Sequence, residues 1–529
     1  KGIYMKKILN MITGLSLLGA MALTSCYDDK GNYDYHDLDK VEIDTANLGV
    51  QSAYVISRYD KLEIEPNIYF NGKLVNDDSS APLDYVWTIY SAHSGANVDR
   101  TIDTIGHQAK LDAEISRVAS TYNILLTVTN REDGTQQYLK LNCQVEESIT
   151  AGWMLLYEPA DEPGKTDIGL VVNPLVKKNI IQNKEFWNLY RASNGGQSMD
   201  GLPVKIMRPV VDLPKGTDPV FVQTDKDFCG LNNDTFERNL NWGQMFYEEP
   251  STWNLSYYGV KSVAGGGEVV INDNKLYTSS FNGVSRNDYL GQAKIGDYGT
   301  LAPYASEVKS MYFDAVVYDN TNGQFLCVNR SGINLTHFAS QDETCPVDVN
   351  NVGMQYVMSD WGRNYQEDFI MDKDGKRYLL TANFNTANSS TNNIGTGLYD
   401  ISESPNVMNM TSIAAPFMGE FLLYGAANNV YCLRYAASTV ATPLWTAPDA
   451  DEQVTCVRLQ KFYHRTIFMA MMPNANTVMH VATWNEKTQQ GKLYQFTVNP
   501  ASGVIMGDPL VYTVPGKVKD MAWKYVMER

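Results

Sequence analysis

The sequence has little of what metal and cofactor sites need. Only 6 of the 529 residues are histidines, none at ligand spacing from another, and no C-x-x-C pair is present, which excludes the common zinc motifs. Asp372-x-Asp374-Gly375 resembles the start of a calcium loop, but Lys376 takes the next ligand position and no glutamate completes the loop. We therefore expect no metal and no cofactor, and we predict a hairpin turn at Asp372–Gly375.

Catalytic signatures are also missing. The sequence contains no G-x-S-x-G elbow, H-E-x-x-H motif, P-loop or G-x-G-x-x-G turn, which excludes the common hydrolase, metalloprotease and nucleotide-binding patterns. We expect no catalytic residue and no enzyme activity. The alternative is a hydrolase that uses a pair of carboxylates, for which Glu248-Glu249 and Glu367-Asp368 are candidates.

Basic residues are few relative to acidic ones. The 43 Lys and Arg residues face 60 Asp and Glu residues, which gives a net charge of −17, and only 19% of residues are charged. Such a surface repels nucleic acid, so we expect no nucleic-acid partner. Aromatic residues are numerous by contrast, with 33 Tyr, 17 Phe and 9 Trp, and 39 Gly accompany them. This composition favours an all-β fold with frequent turns.

No apolar run is long enough to cross a membrane. The run Ile8–Leu23 has about 16 residues, whereas a membrane-spanning helix needs ~20. Lys6 and Lys7 precede it, so we predict a signal peptide over residues 1–25. Leu23-Thr24-Ser25-Cys26 has the residue types of a bacterial lipobox, and we expect Cys26 to carry the lipid that anchors the chain to the membrane. The alternative is an ordinary signal peptide followed by an incidental cysteine.

Six further cysteines remain. Their spacing matches no zinc motif, and mostly buried thiols that pack as small apolar residues are favoured over a disulfide framework. They are Cys143, Cys229, Cys327, Cys345, Cys432 and Cys456.

Residues 26–40 are acidic and nearly devoid of aliphatic side chains, which predicts a flexible tether. Their opening, Cys26-Tyr27-Asp28-Asp29-Lys30-Gly31-Asn32-Tyr33-Asp34-Tyr35, resembles the start of the PKD-like lipoproteins of Bacteroidetes. The resemblance implies that Asp28 and Asp29 send the lipoprotein to the outer face of the outer membrane, although both could be merely solvated charges. It also implies that the partners are a SusC/SusD-like, TonB-dependent importer and its neighbouring lipoproteins.

Residues 41–148 alternate apolar and polar side chains with period two. About 105 residues with a tryptophan in a middle strand fit an immunoglobulin-like sandwich. The family resemblance, carried by Tyr85-x-Trp87 and Tyr122-x-Ile124-x-Leu126-x-Val128, implies a PKD-like module; the residues after Trp87 depart from its Asp/Gly-rich turn and leave the strand pairing open. Strands are predicted at Leu62–Pro66, Leu83–Tyr90, Tyr122–Thr129 and Tyr138–Val145, with a hairpin turn at Asn130–Gly134.

Residues 149–529 repeat one theme, in which apolar strands flank turn clusters that lie roughly 47 to 62 residues apart, giving seven units of about 54 residues. A four-stranded propeller blade takes ~40 to 50 residues. We expect a β-propeller with seven blades, six or eight being the alternatives. The segment Val518–Lys524 should pair with strands near Trp153 and close the ring. The predicted turns are Glu162–Lys165, Thr224–Asp227, Asn272–Lys275, Asn320–Gly323, Asp372–Gly375, Ala427–Asn429 and Glu486–Gln489.

Two segments between the predicted strands, Asn239–Gly259 and Ser359–Tyr365, are dense in aromatic rings. Rings beside hydrogen-bonding groups can stack on sugars or pack against peptide side chains. The alternative is that these rings fill the gaps between blades. The candidate ligand-binding residues are Trp242, Tyr247, Trp253, Tyr257, Tyr258, Trp361, Arg363 and Tyr365.

Residues and resemblance together predict a non-catalytic lipoprotein of the outer membrane that faces the cell exterior. As an accessory subunit of the importer it would capture oligopeptides or oligosaccharides. A surface hydrolase and a purely structural subunit of the importer are the alternatives.

Overall fold

A computed structural model gives the structure of most of the chain. It describes residues 40–45, 50–58, 60–76, 78–93, 100–117, 119–146, 149, 151–178, 180, 183–209, 219–260, 267–279, 281–282, 285–286, 289–461 and 472–525. The predictions for the signal peptide, Cys26, Asp28 and Asp29 lie outside these residues. Among the helices within them, none combines the length and the apolar character that crossing a membrane requires.

The chain divides into two compact units. The smaller comprises Lys1–Tyr54, Lys61–Ile115 and Thr121–Cys143, and the larger comprises Val55–Asp60, Ser116–Ser120 and Gln144–Arg529.

The described residues of the N-terminal part form ten strands. Five form a sheet in the order β2-β10-β9-β6-β7, three form a sheet in the order β1-β4-β5, and β3 pairs with β8. The strands are β1 (Val41–Asp44), β2 (Ala53–Ser57), β3 (Lys61–Ile64), β4 (Asn67–Phe70), β5 (Lys73–Leu74), β6 (Leu83–Ser91), β7 (Asp103–Gly106), β8 (Leu111–Glu114), β9 (Ser120–Asn130) and β10 (Gln136–Glu146).

The core of the smaller unit is centred on Trp87. Its ring is fully buried, its Nε1 donates to the Gln108 carbonyl oxygen over 2.9 Å, and Leu126 lies opposite it on β9. Alternate β9 residues are buried because successive side chains of a strand point to opposite faces. Each of the four predicted strands is confirmed, as is the turn after Asn130, where Gly134 has a φ of 72°.

The larger unit contains short strands with few helical turns between them. Its first half comprises β11 (Gly152–Pro159), β12 (Lys165–Val172), β13 (Lys184–Phe186), α1 (Leu189–Ser193), β14 (Met199–Asp200), β15 (Pro203–Met207), β16 (Pro219–Thr224), β17 (Phe228–Asn232), β18 (Arg238–Asn241), a 3₁₀ turn (Trp242–Met245), β19 (Leu255–Val260), β20 (Glu268–Asn272), β21 (Lys275–Thr278), β22 (Phe281–Asn282), β23 (Ser285–Arg286), β24 (Leu301–Ala305), β25 (Phe313–Asp319) and β26 (Gln324–Asn329). Its second half comprises β27 (Gln355–Trp361), a 3₁₀ turn (Arg363–Tyr365), β28 (Glu367–Lys373), β29 (Lys376–Ala382), β30 (Gly395–Asp400), a 3₁₀ turn (Val407–Asn409), β31 (Ser412–Ala414), β32 (Leu422–Ala426), β33 (Asn429–Leu433), β34 (Thr442–Thr446), β35 (Glu452–Leu459), β36 (Val478–Asn485), β37 (Gln490–Thr497), β38 (Leu510–Val514) and β39 (Gly516–Lys524).

These strands form antiparallel sheets that follow one another along the chain. Among the described residues of the larger unit there are seven sheets of three or more strands, besides the small pair β22-β23. Their strand orders are β13-β12-β11-β39 with β14 beside β12, β15-β16-β17-β18, β19-β20-β21, β24-β25-β26, β27-β28-β29-β30, β31-β32-β33-β34 and β35-β36-β37-β38.

All seven predicted turn clusters are confirmed as hairpin turns, one in each of these sheets. They join β11 to β12, β16 to β17, β20 to β21, β25 to β26, β28 to β29, β32 to β33 and β36 to β37. In the turn at Asp372–Gly375, Asp374 and Gly375 have φ angles of 52° and 75°, the left-handed backbone of a tight two-residue hairpin loop.

The predicted closing contact is also confirmed. Strand β39 pairs with β11 over its length, with Trp523 opposite Trp153, so the last strand completes the first sheet. Both indoles are buried, and Trp523 Nε1 donates to the Val176 carbonyl oxygen over 2.9 Å. Trp153 Nε1 lies 3.4 Å from the sulfur of Met521, a residue 368 positions away in sequence, so the contact fixes the two ends of the larger unit.

The six cysteines outside the predicted lipidation site are free thiols, and all but Cys345 are buried. Burial raises the pKa of Cys143 and of Cys229 to about 12, which keeps both thiols protonated and unreactive. The prediction of buried thiols is confirmed for these five residues.

Candidate functional site

The larger unit contains a half-open cavity of about 550 Å³, a volume that suits a small-molecule or short-oligomer ligand. Most of the lining residues come from six strands, each of which lies at the edge of its sheet: β15, β19, β24, β27, β35 and β39. We call it the inner cavity. Consecutive residues of several strands line it, among them Val204–Met207 and Tyr356–Trp361.

Three ion pairs lie in the wall of the inner cavity. Lys205 Nζ is 2.5 Å from Glu307 Oε1, Arg458 Nη2 is 2.6 Å from Asp520 Oδ1, and Lys461 pairs with Asp360. Each pair joins residues that follow or belong to different sheets. Two of the carboxylates also accept backbone N–H groups of a further strand or loop, Asp520 from Ile206 over 3.0 Å and Asp360 from Ala415 over 2.8 Å. The ion pairs therefore connect the sheets that form the cavity wall, and they place charges of both signs in it.

Aromatic rings stand beside two of these pairs. Lys205 Nζ lies 4.6 Å from the centre of the Tyr257 ring, and Lys461 Nζ lies 4.7 Å from the centre of the Trp361 ring. At these distances an ammonium group is attracted to the ring face. Each lysine thus lies between an aromatic ring and a carboxylate, Glu307 for Lys205 and Asp360 for Lys461.

Glu367, the first residue of β28, is the fourth carboxylate of the wall. Its side chain is buried, and Oε1 accepts the Tyr304 hydroxyl over 3.0 Å. Its other oxygen, Oε2, has no hydrogen-bond partner among the described residues. Burial raises the pKa of Glu367 to about 8, and the nearby Ser306 and Tyr304 hydroxyls offset only part of that rise.

The candidate pair Glu367 and Asp368 is divided between the two faces of β28. They are consecutive strand residues and so point to opposite faces, and only Glu367 lines the inner cavity. Burial raises the pKa of Asp368 to about 7, opposed by a hydrogen bond of 3.1 Å from Gln366. The other candidate pair, Glu248 and Glu249, is exposed and does not line the cavity.

Most of the candidate residues in Asn239–Gly259 are structural. Trp242 and Tyr258 are buried in one apolar cluster, and the Trp242 ring meets those of Trp253 and Phe246 at 4.7 Å each. Such packing leaves Trp242 and Tyr258 no ring face for a ligand. Tyr247 is 66% exposed, its ring contacts that of Tyr289, and it lies outside the inner cavity.

Two of the candidates, Tyr257 and Trp361, do line the inner cavity. Arg363 and Tyr365 follow Trp361 in a 3₁₀ turn and are not part of its wall. Arg363 pairs with Glu420, and the Tyr365 ring lies 5.2 Å from that of Phe417 and 6.0 Å from that of Trp361.

Reasoning from the sequence missed most of the cavity wall, including Lys205, Tyr304, Glu307, Tyr356 and Lys461. One signal was present. Tyr257, Tyr304 and Tyr356 each lie on the first strand of one of three successive sheets, so an alignment of the repeats on their hairpin turns would have placed them together. The lysines and Glu307 carry no comparable pattern.

The chain is similar to several solved structures at low sequence identity. A quinonprotein alcohol dehydrogenase-like protein from Bacteroides thetaiotaomicron is 9% identical, with 92% of this chain and 99% of that chain covered and a TM-score of 0.36. A lignostilbene dioxygenase from Pseudomonas brassicacearum is 10% identical, covers 71% of this chain and 92% of its own, and has a TM-score of 0.38. The WD40 domain of SCAP from fission yeast is 8% identical, covers 59% of this chain and 74% of its own, and has a TM-score of 0.33.

Likenesses of this size carry no argument about fold or activity. No curated protein matches the chain. The N-terminal third gives a definite result, since residues 26–203 match the model of the PKD-like family.

Proposed function

We propose that the protein is a non-catalytic ligand-binding lipoprotein whose inner cavity is the binding site. The observation that carries the proposal is the cavity itself, about 550 Å³ with aromatic rings and charges of both signs in its wall. Such a lining can hold a polar oligomer by stacking and by hydrogen bonds.

The finer architecture belongs to the same proposal. The larger unit is a seven-bladed β-propeller, supported by seven successive sheets within the described residues and by the pairing of β39 with β11. The smaller unit is a PKD/immunoglobulin-like sandwich, supported by the match to the PKD-like family and by the buried Trp87.

The cellular role rests on the N-terminal sequence. Cys26 carries the lipid, Asp28 and Asp29 direct the chain to the cell exterior, and the binding unit serves a SusC/SusD-like importer by capturing oligopeptides or oligosaccharides. Tethering a binding site beside a pore raises the local ligand concentration without breaking any bond.

Co-purification from detergent-solubilised outer membrane tests this role. The wild-type chain should bring down the importer and a retained ligand that mass spectrometry identifies. Ser256→Trp puts an indole at an exposed position of the cavity wall, and this variant should keep the importer but lose the ligand. Thr442→Trp, at an exposed position of β34 outside the cavity, is the matched control and should keep both. If the wild-type chain retains no importer, the accessory role is wrong. If Ser256→Trp retains as much ligand as the wild type, the inner cavity is not the binding site.

A hydrolase remains the second candidate because Glu367 is buried in the cavity wall with a raised pKa, as general acids often are. Incubation of the purified chain with peptides and glycans distinguishes the two functions. Turnover that Glu367→Gln abolishes would establish the hydrolase, whereas a ligand recovered intact supports the binding function.

A further inference from the structure

The inner cavity contains two examples of how this protein holds a primary ammonium group. The ammonium groups of Lys205 and Lys461 each lie against an aromatic ring and beside a carboxylate. In each case the ring face and the carboxylate compensate for the water that the ammonium group loses.

The same wall contains a third site at which aromatic rings lie beside a carboxylate. The Tyr304 and Tyr356 rings are 5.6 Å apart, and Glu367 accepts the Tyr304 hydroxyl. We call these three residues the Glu367 corner. Within the described part of the chain, Glu367 forms no ion pair, and its buried Oε2 accepts no hydrogen bond. Tyr356 is only half-buried, so one wall of the corner is open to the cavity.

We propose that the Glu367 corner binds a primary ammonium group of the ligand. The inference rests on the proposed binding function and narrows it. The ligand carries an amine, which is either the amino terminus of a peptide, a lysine side chain or an unacetylated amino sugar. Glu367 Oε2 accepts from the ammonium group, and the Tyr356 ring lies alongside it.

The charges around the corner come to favour a cation as pH rises through about 8. The groups that act on Glu367 are Glu307, Lys309 and the hydroxyls of Ser306 and Tyr304. Glu307, which raises the pKa of Glu367, is itself paired with Lys205, and Lys309 lowers the pKa of Glu367. Burial lowers the pKa of Lys309 to about 8, so Lys309 loses its charge over the same pH range in which Glu367 gains one.

Binding should therefore depend on pH in a defined direction. An ammonium group prefers the ionised carboxylate, and with a pKa of about 8 Glu367 is mostly protonated at pH 7. Affinity for a lysine-type amine, which stays charged up to about pH 10, should rise about tenfold from pH 7 to pH 9. A ligand that the corner does not hold through Glu367 would show no such rise.

Calorimetric titration of the purified chain tests the proposal. The probes are trialanine, N-acetyl-trialanine, N-acetyl-Ala-Lys-Ala amide, and the glucosamine dimer with and without its acetyl groups. At least one free amine should bind about tenfold more tightly than its acetylated counterpart, and the best probe identifies which source of amine the site takes.

Variants separate the corner from the rest of the cavity. Glu367→Gln should remove the preference for the free amine and the rise with pH, whereas Asp368→Asn, on the other face of the same strand, should preserve both. If Glu367→Gln does not fold, Tyr356→Leu at the half-buried ring should reduce the preference instead.

Three results would overturn the inference. If free and acetylated probes bind with equal affinity, and Ser256→Trp abolishes that binding, the Glu367 corner is not an ammonium site but the inner cavity is still the binding site. A preference for free amines that survives Glu367→Gln places the ammonium group elsewhere. Binding of none of the probes, together with no ligand in the co-purification, rejects both the inference and the proposed function.

Discussion

Two aromatic regions of the larger unit look alike in sequence and differ in structure. In the Trp242 cluster, made of Phe228, Trp242, Phe246, Trp253 and Tyr258, rings pack on rings. Around the inner cavity, rings stand beside charges that come from other sheets, as Trp361 does beside Lys461. The number of rings in a segment therefore says little about its role, and the charged neighbours decide whether a ring stabilises the fold or faces a ligand.

The sharpest test of this comparison is Trp242→Ala. Removing a buried indole from a packed cluster should lower the free energy of unfolding by about 4 kcal/mol, because transfer and cavity costs add. Urea denaturation of the purified chain measures the change. The fraction that still folds should retain ligand as well as the wild type. A small loss of stability with a complete loss of ligand would reverse the roles of the two regions.

Asp360→Ala tests the charged region in the same way. Lys461 is 9% exposed, and its ammonium group would lose the carboxylate and keep the uncharged Trp361 ring and the carbonyl oxygens of Trp361 and Ala415. An unpaired buried charge should cost about 3 kcal/mol of stability. The matched control is Asp400→Ala, whose ion pair with Lys376 is exposed and should be worth less than about 1 kcal/mol. Equal effects of the two variants would show that the cavity pairs do not support the wall.

The pH dependence of stability offers a third test. Burial raises the folded-state pKa of Glu367 to about 8, so the folded chain binds this proton more tightly than the unfolded chain does. The contribution is complete below the unfolded pKa of about 4.5 and is lost as pH rises through 8. Between pH 5 and pH 7 the loss should be about 2–3 kcal/mol.

The measurement is the difference in unfolding free energy between the wild type and Glu367→Gln over that range. Asp400→Asn provides a control of opposite sign, since hydrogen bonds from Ser402 and the nearby Lys376 lower the Asp400 pKa to about 2. Its small, solvent-screened contribution is lost as pH falls. A Glu367→Gln variant with the same pH dependence as the wild type would contradict the raised pKa.

Much of the fold was predictable because turn chemistry and strand patterns are local. The pairs Asp273-Asn274 and Asp374-Gly375 both take up left-handed backbone, which these residue types tolerate, and apolar strands flank each pair. The closing contact between Trp153 and Trp523 was also predictable, because the last apolar strand of a repeat array has no other partner.

The candidate site was less predictable for a physical reason. Its wall is assembled from single residues of separate sheets, as when Lys205 meets Glu307, 102 positions further along the chain. Neither local periodicity nor aromatic density predicts which residues of different repeats line the same cavity. Tyr257 and Trp361 were found only because they lie within ring-rich segments, and the same signal selected Trp242 and Tyr258, which are core residues.

The smallest expected effect belongs to Tyr247, which the sequence selected and the fold leaves 66% exposed beside Tyr289. Tyr247→Ala should change the free energy of unfolding by less than about 0.5 kcal/mol, because an exposed ring loses little contact area on truncation. Calorimetry should find its affinity for the preferred amine unchanged if the inner cavity is the binding site. A loss of binding without a loss of stability would instead place the ligand on the exposed Tyr247–Tyr289 surface. That outcome would give the exposed rings, and not the rings beside charges, the role in recognition.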